Sequence, residues 1–366
     1  MSDFSHLVRR VTEESATLSR TEARLALTEM MTGEATSEQI AELLTAMANR
    51  GETAEELAGF AEQMRALSIP LPLTEAERAT LVDTCGTGGS GDGTFNISTA
   101  AALLATAAGA KIAKHGNRAV TSRCGSADVL EAMEIPVALT PEQSVACLRA
   151  TGFAFLYAPA LHPAMKRVLP IRRALKIRTI FNLAGPLTNP AHAKAQVMGV
   201  YAPDKVPVVA EALAQLRVRH ALVVHGSDGL DELTLTGPSQ VAEIRPDSQG
   251  RHGVSYHEVF PAEAQLAPCR LEELKGAETV EGNAAMLEKI FDGETGPRTN
   301  IVLLNAAAAL LVGGLVTSLA EGVRRAAQAL DSGAAKRTIE GLRSFGLSLG
   351  SAISLPTASN RSHSEV

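Results

Sequence analysis

Up to about residue 72 the apolar positions recur at helical spacing, and three polar starts precede the runs: Ser19 with Glu22, Thr36 with Gln39, and Thr53 with Glu56. In each pair a hydroxyl can cap the amide three residues on while the longer side chain answers it, so each predicts a helix start. Gly51 and Pro70 read as stops. The block is short and rich in Ala and Leu, and its apolar stripes need cover from another element of this chain or from a second copy. A small helical domain is expected over residues 1–72.

After Pro72 short apolar runs alternate with helical ones. Strands are expected at 81–83, 111–114, 154–157, 197–201 and 221–225, and helices at 98–108, 126–133, 141–151, 206–216, 283–291 and 299–311. Such alternation is the pattern of βα units, so the fold class is α/β with a mostly parallel central sheet flanked by helices. The polar tail, 356–366, is expected to be loose.

Composition narrows the function. Hydrophobic residues make up 45% of the chain and aromatics only 3%, with no Trp, so Ala, Leu, Val and Ile must build the core. Lys and Arg total 34 against 40 for Asp and Glu, a formal charge of −6 with no basic run, which argues against a nucleic-acid partner. Met1 to Arg10 carries charges where a signal peptide needs an apolar block, and the nearly uncharged 301–316 is short for a membrane span. A cytoplasmic location with no membrane partner is expected. The four cysteines show no paired metal spacing, so reduced thiols are expected.

The densest chemical signal is LVDTCGTGGSGDGTFNIST, Leu81 to Thr99, where a strand runs into five glycines within residues 86–93 and then into a helix start bearing Ser98 and Thr99. Glycine lets backbone amides turn toward a ligand, and a helix N-terminus adds positive potential, so the loop predicts a phosphate site. Gly86, Gly88 and Gly91 also satisfy the dinucleotide fingerprint. However, Asp92 to Asn96 delay the helix, and Lys111 and Lys114 stand near where a ribose-binding acid belongs, which weighs against a nicotinamide oxidoreductase. The next run, Lys114, His115, Gly116, Asn117 and Arg118, places cations at a strand's carboxyl end, where open α/β sheets bind ligands. In HGSDGLDELTLTG, the adjacent Asp231 and Glu232 suit Mg²⁺ bridging to phosphate oxygens, with Asp228 within reach. Arg172, Arg173, Lys176 and Arg178 crowd one helix; an arginine turned into the crevice could pair with a substrate carboxylate. Spacing alone does not say which. No side chain is flanked as an activated nucleophile, so the chemistry should rest on placing reactants and stabilising charge.

Together, GTGGSGDGTFNIST, KHGNR, FLYAPALHPAMK, IRRALKIRTIFNLAGPLTNP, DGLDELT and VLLNAAAAL closely resemble the anthranilate phosphoribosyltransferases of tryptophan biosynthesis over nearly the whole chain. The resemblance implies a Mg²⁺-dependent glycosyltransferase of the nucleoside phosphorylase and phosphoribosyltransferase type. It joins the phosphoribosyl group of phosphoribosyl pyrophosphate (PRPP) to the amine of anthranilate and releases pyrophosphate. Carried onto this sequence, PRPP would meet Gly86, Gly88, Gly89, Ser90, Thr94, Asn96, Ile97, Ser98 and Thr99. It would also meet Lys114, His115, Gly116, Asn117, Arg118, Ser122 and Ser126. Anthranilate would meet Gly86, His115, Asn117, Ala158, Pro159 and, through its carboxylate, Arg172. Mg²⁺ would be held by Ser98, Asp231 and Glu232. Ser90 stands where the family usually has Asp. The implied architecture is a helical domain of 1–72 completed by 163–190, an α/β domain of 73–162 and 191–355 with the site in the cleft between them, and a homodimer through the helical domains. The rivals are a pyrimidine nucleoside phosphorylase-like enzyme of the same fold, separable by pyrophosphate release, and a non-catalytic nucleotide-binding relative.

Overall fold

The computed structural model describes residues 3–33, 35–88, 93–119 and 124–353, with side chains to residue 349. Four helices open the chain: α1 (Asp3–Glu13), α2 (Arg20–Thr32), α3 (Ser37–Arg50) and α4 (Ala54–Ala66). All three expected capping boxes form, at Ser19, Thr36 and Thr53. A fourth box, at Thr74 and Glu77, starts α5 (Glu75–Thr80). The chain then alternates: β1 (Leu81–Gly86), α6 (Ile97–Ala107), β2 (Lys111–Gly116), α7 (Ser126–Ala132), α8 (Pro141–Thr151) and β3 (Phe153–Tyr157). Three short helices, α9 (Ala158–Leu161), α10 (Leu169–Leu175) and α11 (Ile180–Ala184), follow. Next come β4 (Ala195–Gly199), α12 (Lys205–Gln215), β5 (His220–Gly226), β6 (Ser239–Pro246) and β7 (His252–Val259). Four helices close the chain: α13 (Val280–Phe291), α14 (Pro297–Val312), α15 (Leu319–Asp331) and α16 (Ala334–Ile353).

The strands form one seven-stranded sheet in the order β3-β2-β1-β4-β5-β6-β7. The first five are parallel, and β6 and β7 extend the sheet as an antiparallel edge. From β1 the chain steps to β2 and β3 on one side, then returns to place β4 on the other. The reversal of direction therefore falls between β1 and β4, the position at which open α/β sheets bind ligands beyond their carboxyl ends.

Burial on both faces explains the uninterrupted apolar runs of the inner strands. On one face Ile112, Val197, Leu222 and Val224 pack under α6 and α14, whose many alanines permit close approach. On the other, Met198, Val200, Ala221 and Val223 share a core with α12, the opening helices and α11. Phe60 of α4 meets Phe181 of α11 edge to face with centroids 5.6 Å apart, and Arg65 Nε donates to Leu187 O at 2.7 Å. The segment after β3 thus packs against the opening helices.

The expected β4 is displaced, running 195–199 rather than 197–201, and β6, β7, α15 and α16 were not expected. The largely exposed β7 and its hairpin partner lack the apolar run that marks an inner strand.

Candidate active site

At the reversal point Gly86, ending β1, is paired with Gly199, ending β4. The loop after β5 lays Asp231 across both. A Cβ on Gly86 would collide with Asp231 Oδ2, and one on Gly199 with the Asp231 carbonyl oxygen. Two glycines on neighbouring strands therefore admit the carboxylate loop. Asp231 Oδ2 accepts the Gly88 amide at 2.8 Å, joining that loop to the glycine-rich loop after β1. Gly199→Ala is expected to destabilise the fold by about 1–3 kcal/mol, as overpacking does, and to dislodge Asp231. Denaturant midpoint and turnover should both fall; a wild-type midpoint would show that the loop can yield.

The turn carrying the acids is braced from two sides. Asp228 Oδ2 accepts the hydroxyls of Thr234 and Thr236 at 2.5 and 2.7 Å, and its Oδ1 takes the Leu230 amide at 3.2 Å. Asp228, a reachable metal ligand by sequence, thus serves to shape the turn. From α14, Asn305 Oδ1 accepts the Leu233 amide at 3.1 Å and its Nδ2 donates to the Leu233 carbonyl at 2.9 Å. Glu232 is presented next to this clamp.

Asp231 and Glu232 line one small cleft with Thr84, Gly86, Ser98 and Asn305. Burial pushes both carboxyls upward, Glu232 strongly so because the Asp231 charge adds to it. Glu232 Oε2 is buried with no hydrogen-bond partner among the described residues. Two adjacent acids, one with an orphaned oxygen, suit a divalent cation. No group of three or more His, Cys, Asp or Glu gathers as a metal cage among the described residues, so the fit is to an ion such as Mg²⁺ that keeps waters and shares phosphate oxygens.

Opposite the acids, α6 begins at Asn96 without any side-chain cap, unlike α2 to α5. The Ile97 amide turns back to Phe95 O at 2.7 Å, so the amides of Ser98 and Thr99 are the ones left for an anion. Ser98 is half-buried and faces the cleft, whereas Ile97 and Thr99 are buried in the core. Thr94 bridges to Lys275, and Asn96 Nδ2 donates to Cys124 O at 3.1 Å while its Oδ1 is buried with no partner among the described residues. Gly89, Ser90 and Ser122 lie outside the described residues.

The expected cationic rim does not form as one patch. β2 extends to Gly116, so Lys114 and His115 alternate to opposite faces. Lys114 is buried beneath the cleft, where Nζ bonds Thr84 O and lies 3.3 Å from Ser98 Oγ. His115 turns toward His162, ring centroids 5.1 Å apart, and burial holds both imidazoles low, His162 at about 4. Gly116 leaves room for Ser126 Oγ, which donates to Asn117 O at 3.2 Å. Asn117 is exposed, and Arg118 is paired with Asp128 and Glu131 of α7, so its charge is directed away from the acids.

Ala158 and Pro159 begin α9 at the carboxyl end of β3. Arg172 of α10 lies over the Phe181 ring, 5.2 Å from its centroid, with Asn182 Oδ1 at 3.5 Å. Among the described residues no carboxylate contacts it, and burial lowers its pKa. Of the four cations on that helix and turn, Arg178 instead stacks on Tyr201 at 3.8 Å. Sequence reasoning assigned no role to Asn305, although a lone Asn within an apolar helix was a signal, nor to His162.

Family models match two parts of the chain: the helical bundle domain of the glycosyl transferase family at residues 5–68, and the α/β domain of that family at 78–336. Anthranilate phosphoribosyltransferase of Symbiobacterium thermophilum is 49% identical over 93% of this chain and 96% of its own length. That of Solibacter usitatus is 46% identical over 95% of this chain and 100% of its own. The crystal structure of anthranilate phosphoribosyltransferase from Thermus thermophilus superposes with a TM-score of 0.85 at 41% identity, covering 93% of this chain and 99% of that one. The Saccharomyces cerevisiae enzyme in complex with PRPP and Mg superposes with a TM-score of 0.83 at 26% identity, covering 94% and 98%. With this fold, this cleft and these relatives, the chain belongs to the anthranilate phosphoribosyltransferases of the glycosyl transferase family.

Proposed function

We propose that the chain transfers the phosphoribosyl group of PRPP to the amine of anthranilate, with Mg²⁺, in the cleft at the β1–β4 boundary. The observation that carries this reading is the meeting of the uncapped α6 start with Asp231 and Glu232 across Gly86. Amide donors for a diphosphate and acids for its cation thus share one crevice. The yeast enzyme has been seen with PRPP and Mg and with 4-fluoroanthranilate, which supports the same pair of ligands here.

In this reading Gly86, Gly88, Thr94, Asn96 and the first amides of α6 grip the diphosphate, with Gly89 and Ser90 on the same loop. Asn117, Ser122 and Ser126 hold the sugar phosphate side. Ser98, Asp231 and Glu232 hold Mg²⁺, which when bound supplies charge neutralisation to the departing pyrophosphate. The amine of anthranilate is neutral and nucleophilic without a side-chain base. The barrier is cleavage of the bond from C1 to pyrophosphate as positive charge grows on the ribose. Lys114, behind Ser98, and the loop amides stabilise the leaving anion. Arg172 takes the anthranilate carboxylate through its planar fork, and His115, Ala158 and Pro159 line its approach.

We infer a division into a helical part, 1–72 with 163–190, and an α/β part, 73–162 with 191–355, supported by the packing of α11 on α4; the core of the helical part continues onto α12, β4 and β5. We further infer a homodimer through the helical part, where Leu25, Leu169 and Ile177 are exposed, and a cytoplasmic setting, which four free cysteines suit. No helix among the described residues is long and apolar enough to cross a membrane.

Mixing the protein with PRPP, Mg²⁺ and anthranilate should consume anthranilate fluorescence and release pyrophosphate in equal amounts. Absence of both, with phosphorolysis of a pyrimidine nucleoside in their place, would overturn the reading.

A further inference from the structure

β1 and β2 pair only at Leu81 with Lys111 and at Val82 with Ile112, although β1 continues against β4 to Gly86 and β2 continues against β3 to Gly116. In parallel strands alternate residues direct both peptide groups to the same neighbour. The Thr87 amide bonds Gly199 O, and the Ile112 amide bonds Gly152 O. By that alternation Thr84 faces β2, while Ala113 and His115 face β1. A continued ladder would join Ala113 O to the Thr84 amide and the His115 amide to Thr84 O.

The pairing stops before either bond, and three side chains take three of the four vacated groups. Asn189 Nδ2 donates to Ala113 O at 2.8 Å, Asp83 Oδ1 accepts the His115 amide at 3.1 Å, and Lys114 Nζ donates to Thr84 O. All three are buried, at 4%, 1% and 2% exposure for Asn189, Asp83 and Lys114. Two backbone bonds would have been less costly than three buried polar side chains, two of them charged. A closed ladder would also hold the strands about 4.8 Å apart up to the cleft.

We propose that Asp83 and Asn189 are positioning residues which, with Lys114, wedge β1 and β2 apart. The wedge sets Gly86–Gly88 at the end of β1 against His115–Asn117 at the end of β2 across a fixed gap. It therefore governs how the two substrates meet more than how tightly either binds alone. This deepens the transferase reading and rests on it.

The test compares wild type with Asp83→Ala, Asp83→Asn and Asn189→Ala. Without substrate, the His115 amide should resist hydrogen exchange in wild type and in Asp83→Asn, which keeps an acceptor oxygen, and should exchange freely in Asp83→Ala. Turnover should fall about 100-fold in Asp83→Ala and Asn189→Ala, as for an ångström-scale misplacement, and less in Asp83→Asn. Calorimetric PRPP affinity should change by less than about threefold in all variants, because uniform binding is not what the wedge controls. A freely exchanging His115 amide in wild type would overturn the proposal without any variant. So would near-normal turnover in folded variants, PRPP affinity falling in step with turnover, or Asn proving no better than Ala at Asp83. If Asp83→Ala does not fold, the wild-type exchange and Asn189→Ala decide. Wild type that fails to transfer would sink the functional reading alone, leaving the exchange result to judge the wedge.

Discussion

Glu232→Gln is expected to reduce turnover by about 1,000-fold at ordinary Mg²⁺, the equivalent of about 4 kcal/mol of transition-state stabilisation. Asp231→Asn should behave alike, because both acids face one cleft and are proposed to share one ion. Stability should move the other way. Glu232 is held above its ordinary value by burial and by the Asp231 charge, and Oε2 has no partner among the described residues. A carboxyl raised in the folded state makes that state bind more protons than the unfolded chain. Metal-free stability should therefore rise as pH falls from the raised value toward the ordinary carboxylate range. Gln at 232 removes the share of this dependence that Glu232 contributes, leaving that of Asp231, so without metal its melting temperature should equal or exceed that of wild type at neutral pH. Steady-state rates with thermal scans, each with and without Mg²⁺, test the pair of outcomes. A variant that melts earlier yet turns over normally would mean that Glu232 merely fills the cleft.

Arg172→Ala should raise the KM for anthranilate by about 10–100-fold, the worth of a charged hydrogen bond of about 1.5–3 kcal/mol. The KM for PRPP should barely change. Arg172 is a half-buried cation whose side chain meets, among the described residues, an aromatic ring and a distant amide oxygen, so it can accept a carboxylate without giving up a close partner. Lys at 172 should recover only part of the loss, since it lacks the planar fork. Equal rises in both KM values would refute the assignment.

The strand that runs into glycines was legible because only close backbone approach calls for that composition, and Asp231 over Gly86 and Gly199 shows what approaches. The helix starts were legible because a capping box is local, and each of the three forms. Lys114 was harder: two further residues of strand decide which face it takes, so a presumed rim cation became a buried one. Arg118 likewise depended on Asp128 and Glu131 in the following helix. Asn305 and Asn189 act on partners 72 and 76 residues away, and no window along the chain contains both ends. The hairpin of β6 and β7 escaped because an edge strand need be apolar on one face only.

The loops proposed for the sugar donor arise from β1, β2 and β5, whereas Ala158, Pro159 and Arg172 sit on short helices after β3, of which α11 shares its core with the opening bundle. Most of the residues proposed to select the acceptor thus lie in one stretch of chain apart from the donor loops, with His115 of β2 proposed to serve both. A library confined to residues 158–176 could be screened for new aromatic amines while leaving the machinery that activates the sugar untouched.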